Sequence, residues 1–428
     1  MSDALTYHQR FSPEEFDAQY NLRAGRPNYE ETVVPDWIAR SAATRETRAC
    51  KLDVRYGNGP KQLLDVFHCG DAQAPTLVFI HGGYWQRGDK SVYSFIAEPF
   101  IAAGVNVVLL GYDLCPEVTI THISAEIREG VAFVYRHAAE LGVNRERLTV
   151  MGHSAGGHLT QMMMATDWPA YGADLPADLV KTGVPVSPLS YLEPVRMTEA
   201  LNAALRMDAQ EAERESPMTQ HPPLTNAPQL VVVGGRETDE FHRQARIYAE
   251  KYATEARRID VYVVPDVDHF DELNTLADPA SDFFHKTCAM LGLNRKDPTM
   301  KDQTMTELTR EFVDAVGDAF NANDVDAVMA YIDDNIVFDH AAGPEAYGVR
   351  FEGAETVRGV FKGLFDKVEN VHWKTLDCRI AGDKAYCEYL RTATHKDGTK
   401  EEYQSIDIMT FKDGKMVYKD TYYKIRNT

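Results

Sequence analysis

The chain lacks most features that mark membrane, metal-binding and nucleic-acid-binding proteins. No stretch approaches the apolar length needed to cross a bilayer, and the opening MSDALTYHQRFSPEEF has no basic start followed by an apolar run. A protein without secretory leader or membrane partner, residing in the cytoplasm, is therefore expected. The six cysteines (Cys50, Cys69, Cys115, Cys288, Cys378 and Cys387) show neither CxxC nor Cys/His spacing. In a reducing compartment they are expected as free, packed thiols, and no metal or organic cofactor has motif support. Positive charge is also scarce, with 45 Lys and Arg against 65 Asp and Glu and a formal net charge of −20. Such a surface repels nucleic acid and anionic membranes, which disfavours both as partners.

What is present is the composition of a globular protein, 44% hydrophobic and 26% charged over 428 residues, long for one domain. Up to Leu293, apolar runs alternate with helical periods. The runs LDVFH (64–68), TLVFIHGG (76–83), VNVVLLGYD (105–113), LTVMGHS (148–154), VKTGVPVS (180–187), QLVVVGG (229–235) and IDVYVVPD (259–266) read as strands, with a helix over 124–141. Near-continuous Val/Leu/Ile runs separated by helices predict a mostly parallel sheet covered on both faces. The polar, Pro-containing segment 294–304 reads as a linker between a domain over 1–293 and another over 305–428. In the second domain, helices are expected over 306–322, 325–332 and 353–368. Four antiparallel strands follow, with Asp397-Gly398 and Asp413-Gly414 at hairpin turns. This is an α+β pattern.

The strongest chemical signal is Gly152-His153-Ser154-Ala155-Gly156, between the strand LTVM and the helical HLTQMMMAT. G-x-S-x-G in a strand–turn–helix setting is a nucleophile elbow, whose sharp turn leaves no room for a Cβ beside the serine. The run His81-Gly82-Gly83-Tyr84-Trp85 ends an earlier strand and offers backbone N–H groups for an oxyanion hole, joined by that of Ala155. Tyr84 and Trp85 would line the substrate, and His153 beside the nucleophile is a further candidate contact. A serine nucleophile needs a base and an acid in the order Ser…Asp/Glu…His. His269 follows the last strand. Glu237 lies three residues past Gly234 on the preceding loop, and Asp239 is the alternative acid.

HGGYW, YDLCPEVT (112–119), GHSAGGHL, SPLSYLEPVRMTEALN, GGRETDEFHRQ and HFDELNTLADPASD, in this order, resemble the kynurenine formamidase (arylformamidase) group of α/β hydrolases. The resemblance implies the α/β-hydrolase fold and hydrolysis of a small N-formyl aryl amine or related aromatic amide through an acyl-enzyme. It places the acid four residues before the phenylalanine of D/E-x-x-E-F-x-R-Q, which here is Glu237, and the oxyanion hole at Gly82, Gly83 and Tyr84. Carboxylester or carbamate hydrolysis on small aromatic substrates is the alternative, since one triad cleaves all three.

Residues 305–428 resemble SnoaL-like, NTF2-like domains, through AETVRGVFKGLF and an ending of the form F-x-D-G-K-x-V. That resemblance implies a curved sheet wrapped around helices to form a cone with a pocket. The fold hosts isomerases, hydrolases, binders and dimerisation modules, so it implies no single reaction. Asp407, His340 and Tyr389 are candidate pocket residues, and an isomerase or dehydratase acting on the hydrolase product is a further alternative. A binding or dimerising role is the expectation, with a homodimer as the assembly.

Overall fold

A computed structural model describes residues 11–293, 308–345, 348–412 and 414–424. The chain divides into two compact units, Met1–Arg295 and Lys296–Thr428. The expected linker over 294–304 lies outside the described residues.

The first unit is built on eight strands: β1 (Cys50–Arg55), β2 (Leu63–Phe67), β3 (Thr76–Ile80), β4 (Asn106–Leu110), β5 (Leu148–His153), β6 (Thr182–Val186), β7 (Gln229–Gly234) and β8 (Ile259–Val264). Their order in the sheet is β1-β2-β4-β3-β5-β6-β7-β8. β2 runs antiparallel to β1 and β4, and the remaining neighbours are parallel. β3 to β6 are buried at every position, as continuous apolar runs require when helices cover both faces. β8, at the edge, alternates instead, and leaves Val261 and Val263 exposed. β1 was not foreseen, because CKLDVR is polar and mostly exposed. The expected helix over 124–141 begins earlier, at Ile120, where the Thr119 hydroxyl accepts from the His122 N–H, and it breaks at His137.

Four loops leave the carboxyl ends of β3, β5, β7 and β8, on one edge of the sheet, where open α/β sheets hold their sites. The N-terminal segment packs over this edge. Tyr20 donates to Glu240 at 2.9 Å, the Tyr29 ring lies 4.2 Å from that of Phe270, and Trp37 Nε1 donates to Asn274 at 3.0 Å. Arg26 bridges Asp268 and Asp271 at 2.6 and 2.7 Å.

The second unit places helices Arg310–Asn321, Val325–Met329 and Ala354–Lys367 with a six-stranded sheet. Its strands are β9 (Ile332–Glu345), β10 (Gly348–Glu352), β11 (Val368–Ala381), β12 (Lys384–His395), β13 (Lys400–Lys412) and β14 (Lys415–Tyr423), in the order β10-β9-β14-β13-β12-β11. The last four form the expected meander. β9 and β10 were not foreseen: Asp333, Asp334, Asn335 and Gly343 mask the strand pattern of β9, and β10 is only five residues long. β9 is recruited by parallel pairing with β14, a contact far away in sequence. Gly398 (φ 86°) and Gly414 (φ 71°) take the left-handed conformation at their turns. Asp397 does not share it, and Asp413 lies outside the described residues.

Candidate active site

Ser154 sits between β5 and the helix Ala155–Met164 with φ 59° and ψ −116°, a strained conformation for a residue with a Cβ. The flanking glycines follow from the packing. A Cβ on Gly152 would strike the carbonyl of Gly156, and one on Gly156 would strike the carbonyl of Ile80. The Ser154 N–H is anchored to the Val186 carbonyl at 2.8 Å. Its side chain is left at the mouth of the following helix.

His269 directs Nδ1 to Glu237 Oε2 at 2.7 Å, and both side chains are buried. Its Nε2 makes no hydrogen bond among the described residues, and His269 and Ser154 line the same cleft. Glu237 Oε1 accepts from the Gly234 N–H at 2.9 Å and from the Ser187 hydroxyl. Burial acts to raise the Glu237 pKa, but the His269 charge and these donors outweigh it and hold the carboxyl below its usual range. Asp239 instead opens the helix Asp239–Tyr252 and is exposed. The geometry therefore pairs His269 with Glu237 and leaves Asp239 outside.

Gly82 packs directly on the elbow, where a Cβ would come within 2.8 Å of the His153 carbonyl and 3.0 Å of Ser154 Cβ. Gly83, Tyr84 and Trp85 follow with φ of 117°, 52° and 56°, a turn that rotates consecutive peptide groups. No acceptor among the described residues takes the N–H of Gly83 or Tyr84, and Ala155 is the first residue of its helix, where an N–H has no intrahelical partner. These donors fit a developing oxyanion.

Two expectations change. Trp85 is fully buried, packs edge-on against His158 at 5.1 Å and does not line the cleft, so it belongs to the core. His153 does line the cleft, but its Nε2 is tied to the His269 carbonyl at 2.8 Å. Burial, and then the neighbouring His269, lower its pKa well below the usual value, so it sits there neutral. Its hydrogen bond fixes the backbone of His269.

A second carboxyl lies behind the His269–Glu237 pair. Glu272, on the helix Asp271–Leu276, is fully buried, with Oε2 2.7 Å from Ser187 Oγ and 3.5 Å from His153 Nε2. Ser187, with φ 44°, thus touches both Glu237 and Glu272. One hydroxyl has a single proton to give, so the second contact requires a proton on one carboxyl. Glu237 faces His269 and keeps the charge. Burial, followed by the charge of Glu237, raises the Glu272 pKa well above the usual range. His153, His269 and Glu272 also hold potential ligand atoms within 4.8 Å of one another. A cation there would have to displace the hydrogen bonds just described. Neither Ser187 nor Glu272 was singled out in the sequence, although Glu272 stands three residues past His269.

The cleft above Ser154 has a volume of about 260 Å³ and is walled by Tyr20, Tyr29, Trp37, Tyr84, Tyr93 and Phe270. Three of these rings come from the N-terminal segment, for which no role was foreseen. In the second unit, Asp407, His340 and Tyr389 line one cavity of about 230 Å³. Asp407 is no free base there: Lys419 Nζ lies 2.5 Å from its Oδ2 and the Thr421 hydroxyl donates to its Oδ1 at 2.7 Å.

A serine at a strand–helix elbow, on a mostly parallel sheet with one such order of loops, defines a serine hydrolase of the α/β-hydrolase fold. A family described as BD-FAE matches residues 64–169, and a SnoaL-like domain matches residues 310–419. The chain is 32% identical over 234 residues to a kynurenine formamidase of Salmo salar, covering 53% of this chain and 77% of that protein. A kynurenine formamidase of Danio rerio is 27% identical over 278 residues, covering 62% and 92%. The crystal structure of a Silicibacter sp. protein provisionally assigned as a thioesterase is 31% identical, with a TM-score of 0.56, covering 65% of this chain and 99% of that one. Through its first domain, the chain belongs to the kynurenine formamidase family. Among the described residues, no helix is long and apolar enough to cross a membrane.

Proposed function

We propose that this hydrolase removes the formyl group from a small N-formyl aryl amine, with Ser154 as nucleophile, His269 as base and Glu237 as the acid behind it. The observation that carries the substrate class is the cleft itself, in which Ser154 and His269 lie among six aromatic side chains. Flat apolar walls gain most from an aromatic leaving group.

In this reading, His269 Nε2 takes the Ser154 proton as Oγ attacks the formyl carbon. Glu237 orients the ring through the 2.7 Å bond to Nδ1 and stabilises the imidazolium. The N–H groups of Gly83, Tyr84 and Ala155 hold the oxyanion, with Gly82 leaving the space for it. His269 then protonates the departing amine, and water attacks the formyl-enzyme to release formate. The dry surroundings of Glu237 strengthen each of these interactions.

A matched panel tests the substrate. With a common aryl amine, kcat/KM for the N-formyl compound should exceed that for the N-acetyl compound and for the matching carbamate. An order with the acetyl compound or the carbamate first overturns the formamidase reading and leaves the nucleophile in place. Ser154→Ala should abolish hydrolysis of activated aryl esters, and persisting activity in pure protein would remove Ser154 from the mechanism.

A further inference from the structure

The second domain carries a partly open pocket of about 230 Å³, lined from both its helices and its sheet. Gly317, in the middle of the helix Arg310–Asn321, lines it, and a Cβ at Gly317 would meet nothing within 4 Å. A larger residue would favour the helix and fill the space. Glycine keeps it open.

The walls are aromatic. Phe320 packs edge-on against Phe361 and Trp373 at 5.1 and 5.9 Å, and Tyr403 against Tyr423 at 4.9 Å. Three charged side chains, Arg391, Asp407 and Lys419, also line the cavity, and each is at least nine-tenths buried. Lys419 and Asp407 neutralise each other at 2.5 Å, with Thr421 accepting from Lys419 at 2.8 Å and donating to Asp407. That cluster is closed on itself.

Arg391 is different. Its guanidinium carbon lies 5.7 Å from the Trp373 ring centre and 4.9 Å from that of Tyr403, and among the described residues it pairs with Glu401 at 3.0 Å. Glu401 does not line the cavity, is 38% exposed, and is shared with His395 at 2.9 Å. A guanidinium has five N–H donors in a planar fork suited to a carboxylate. Within a chain of net charge −20, this cavity thus presents two cations against one carboxylate.

We propose that the cavity of the second domain is a binding site for a small aromatic carboxylate, its ring held among Phe320, Phe361 and Trp373 and its carboxylate by Arg391. The site is separate from the triad and does not depend on the substrate proposed for the first domain.

Calorimetric titration of the full-length chain with 2-aminobenzoate tests it. One equivalent should bind per chain. Aniline, which keeps the ring, and cyclohexanecarboxylate, which keeps the anion, should each bind at least tenfold more weakly. Arg391→Met should weaken 2-aminobenzoate at least tenfold, because a charge-assisted hydrogen bond is lost. Gly317→Leu fills the space at a position where a side chain suits the helix, so it should fold, keep wild-type hydrolysis of an aryl ester, and lose binding. Absence of saturable binding at millimolar 2-aminobenzoate overturns the proposal. So does binding that survives Gly317→Leu, which would put the ligand elsewhere, or equal affinity for aniline, which would leave Arg391 without a role.

Discussion

Glu272→Gln tests whether the buried carboxyl behind the His269–Glu237 pair is held as a neutral acid. Ser187 Oγ touches Glu237 and Glu272, and neither glutamate side chain reaches solvent. Two ionised carboxylates sharing one hydroxyl, at an effective dielectric near 20, would repel by several kcal/mol. A proton on Glu272 removes that repulsion and supplies the second hydrogen bond on Ser187. The folded protein must then retain at neutral pH a proton that the unfolded chain releases near pH 4.3, which costs about 1.4 kcal/mol of stability per pH unit above that value. Because the folded pKa is raised, the stability contributed by the protonated carboxyl is full below the unfolded value and is lost as pH rises towards the folded one. Glutamine keeps the shape and a donor for Ser187 without holding such a proton. In urea titrations, Glu272→Gln should therefore be more stable than wild type at pH 7. The difference should shrink, by up to about 1.4 kcal/mol per unit, as pH falls from 7 to 5. Turnover should stay within about fivefold of wild type, the worth of one neutral hydrogen bond of about 1 kcal/mol. A stability difference that does not change with pH, or a variant that loses stability as pH rises, would show Glu272 ionised and refute the assignment.

Glu237→Gln should lower kcat by roughly 10³–10⁴-fold, since an amide no longer stabilises the imidazolium, whereas Asp239→Asn should stay within about twofold in the same ester assay; comparable losses would mean that the acid is misassigned. His81 and His158 are both fully buried and neutral, with pKa values lowered by burial to about 4 and about 3. The unfolded chain binds those protons near pH 6.5, so stability is full above that pH and falls below it, by about 2 kcal/mol for each histidine between pH 7 and 5. His158→Gln should flatten the pH dependence of the urea midpoint, and an unchanged slope would contradict the burial argument. Gly156→Ala should cost about 3 kcal/mol or more, or block folding, because its Cβ strikes the Ile80 carbonyl; a thermal midpoint within a few degrees of wild type would show that β3 and the elbow can separate.

The alternation of apolar runs and helices, the elbow, the HGG run and the positions of Glu237 and His269 were legible in the sequence because each is local. A strand's burial shows in its composition, and a turn's geometry shows in its glycines. Even the choice between Glu237 and Asp239 had a local signal in their distance from Gly234, although only the fold shows Asp239 exposed at the head of a helix. Contacts between distant segments left no such trace. Ser187 and Glu272 stand 85 residues apart, Tyr29 reaches Phe270 across the whole first domain, and β9 becomes a strand by pairing with β14. Trp85 follows the HGG run as if to line the substrate, yet the turn sends its ring into the core against His158. Asp407 has the alternation of a pocket residue, but its role is set by Lys419 on the neighbouring strand. The sequence by itself determined which chemistry the chain carries and on which strand ends, since periodicity and turn stereochemistry act over a few residues. Only the tertiary structure decided which buried groups share a proton, which rings enclose the cleft and which charges face the second cavity, because burial and charge pairing depend on segments that meet only after folding.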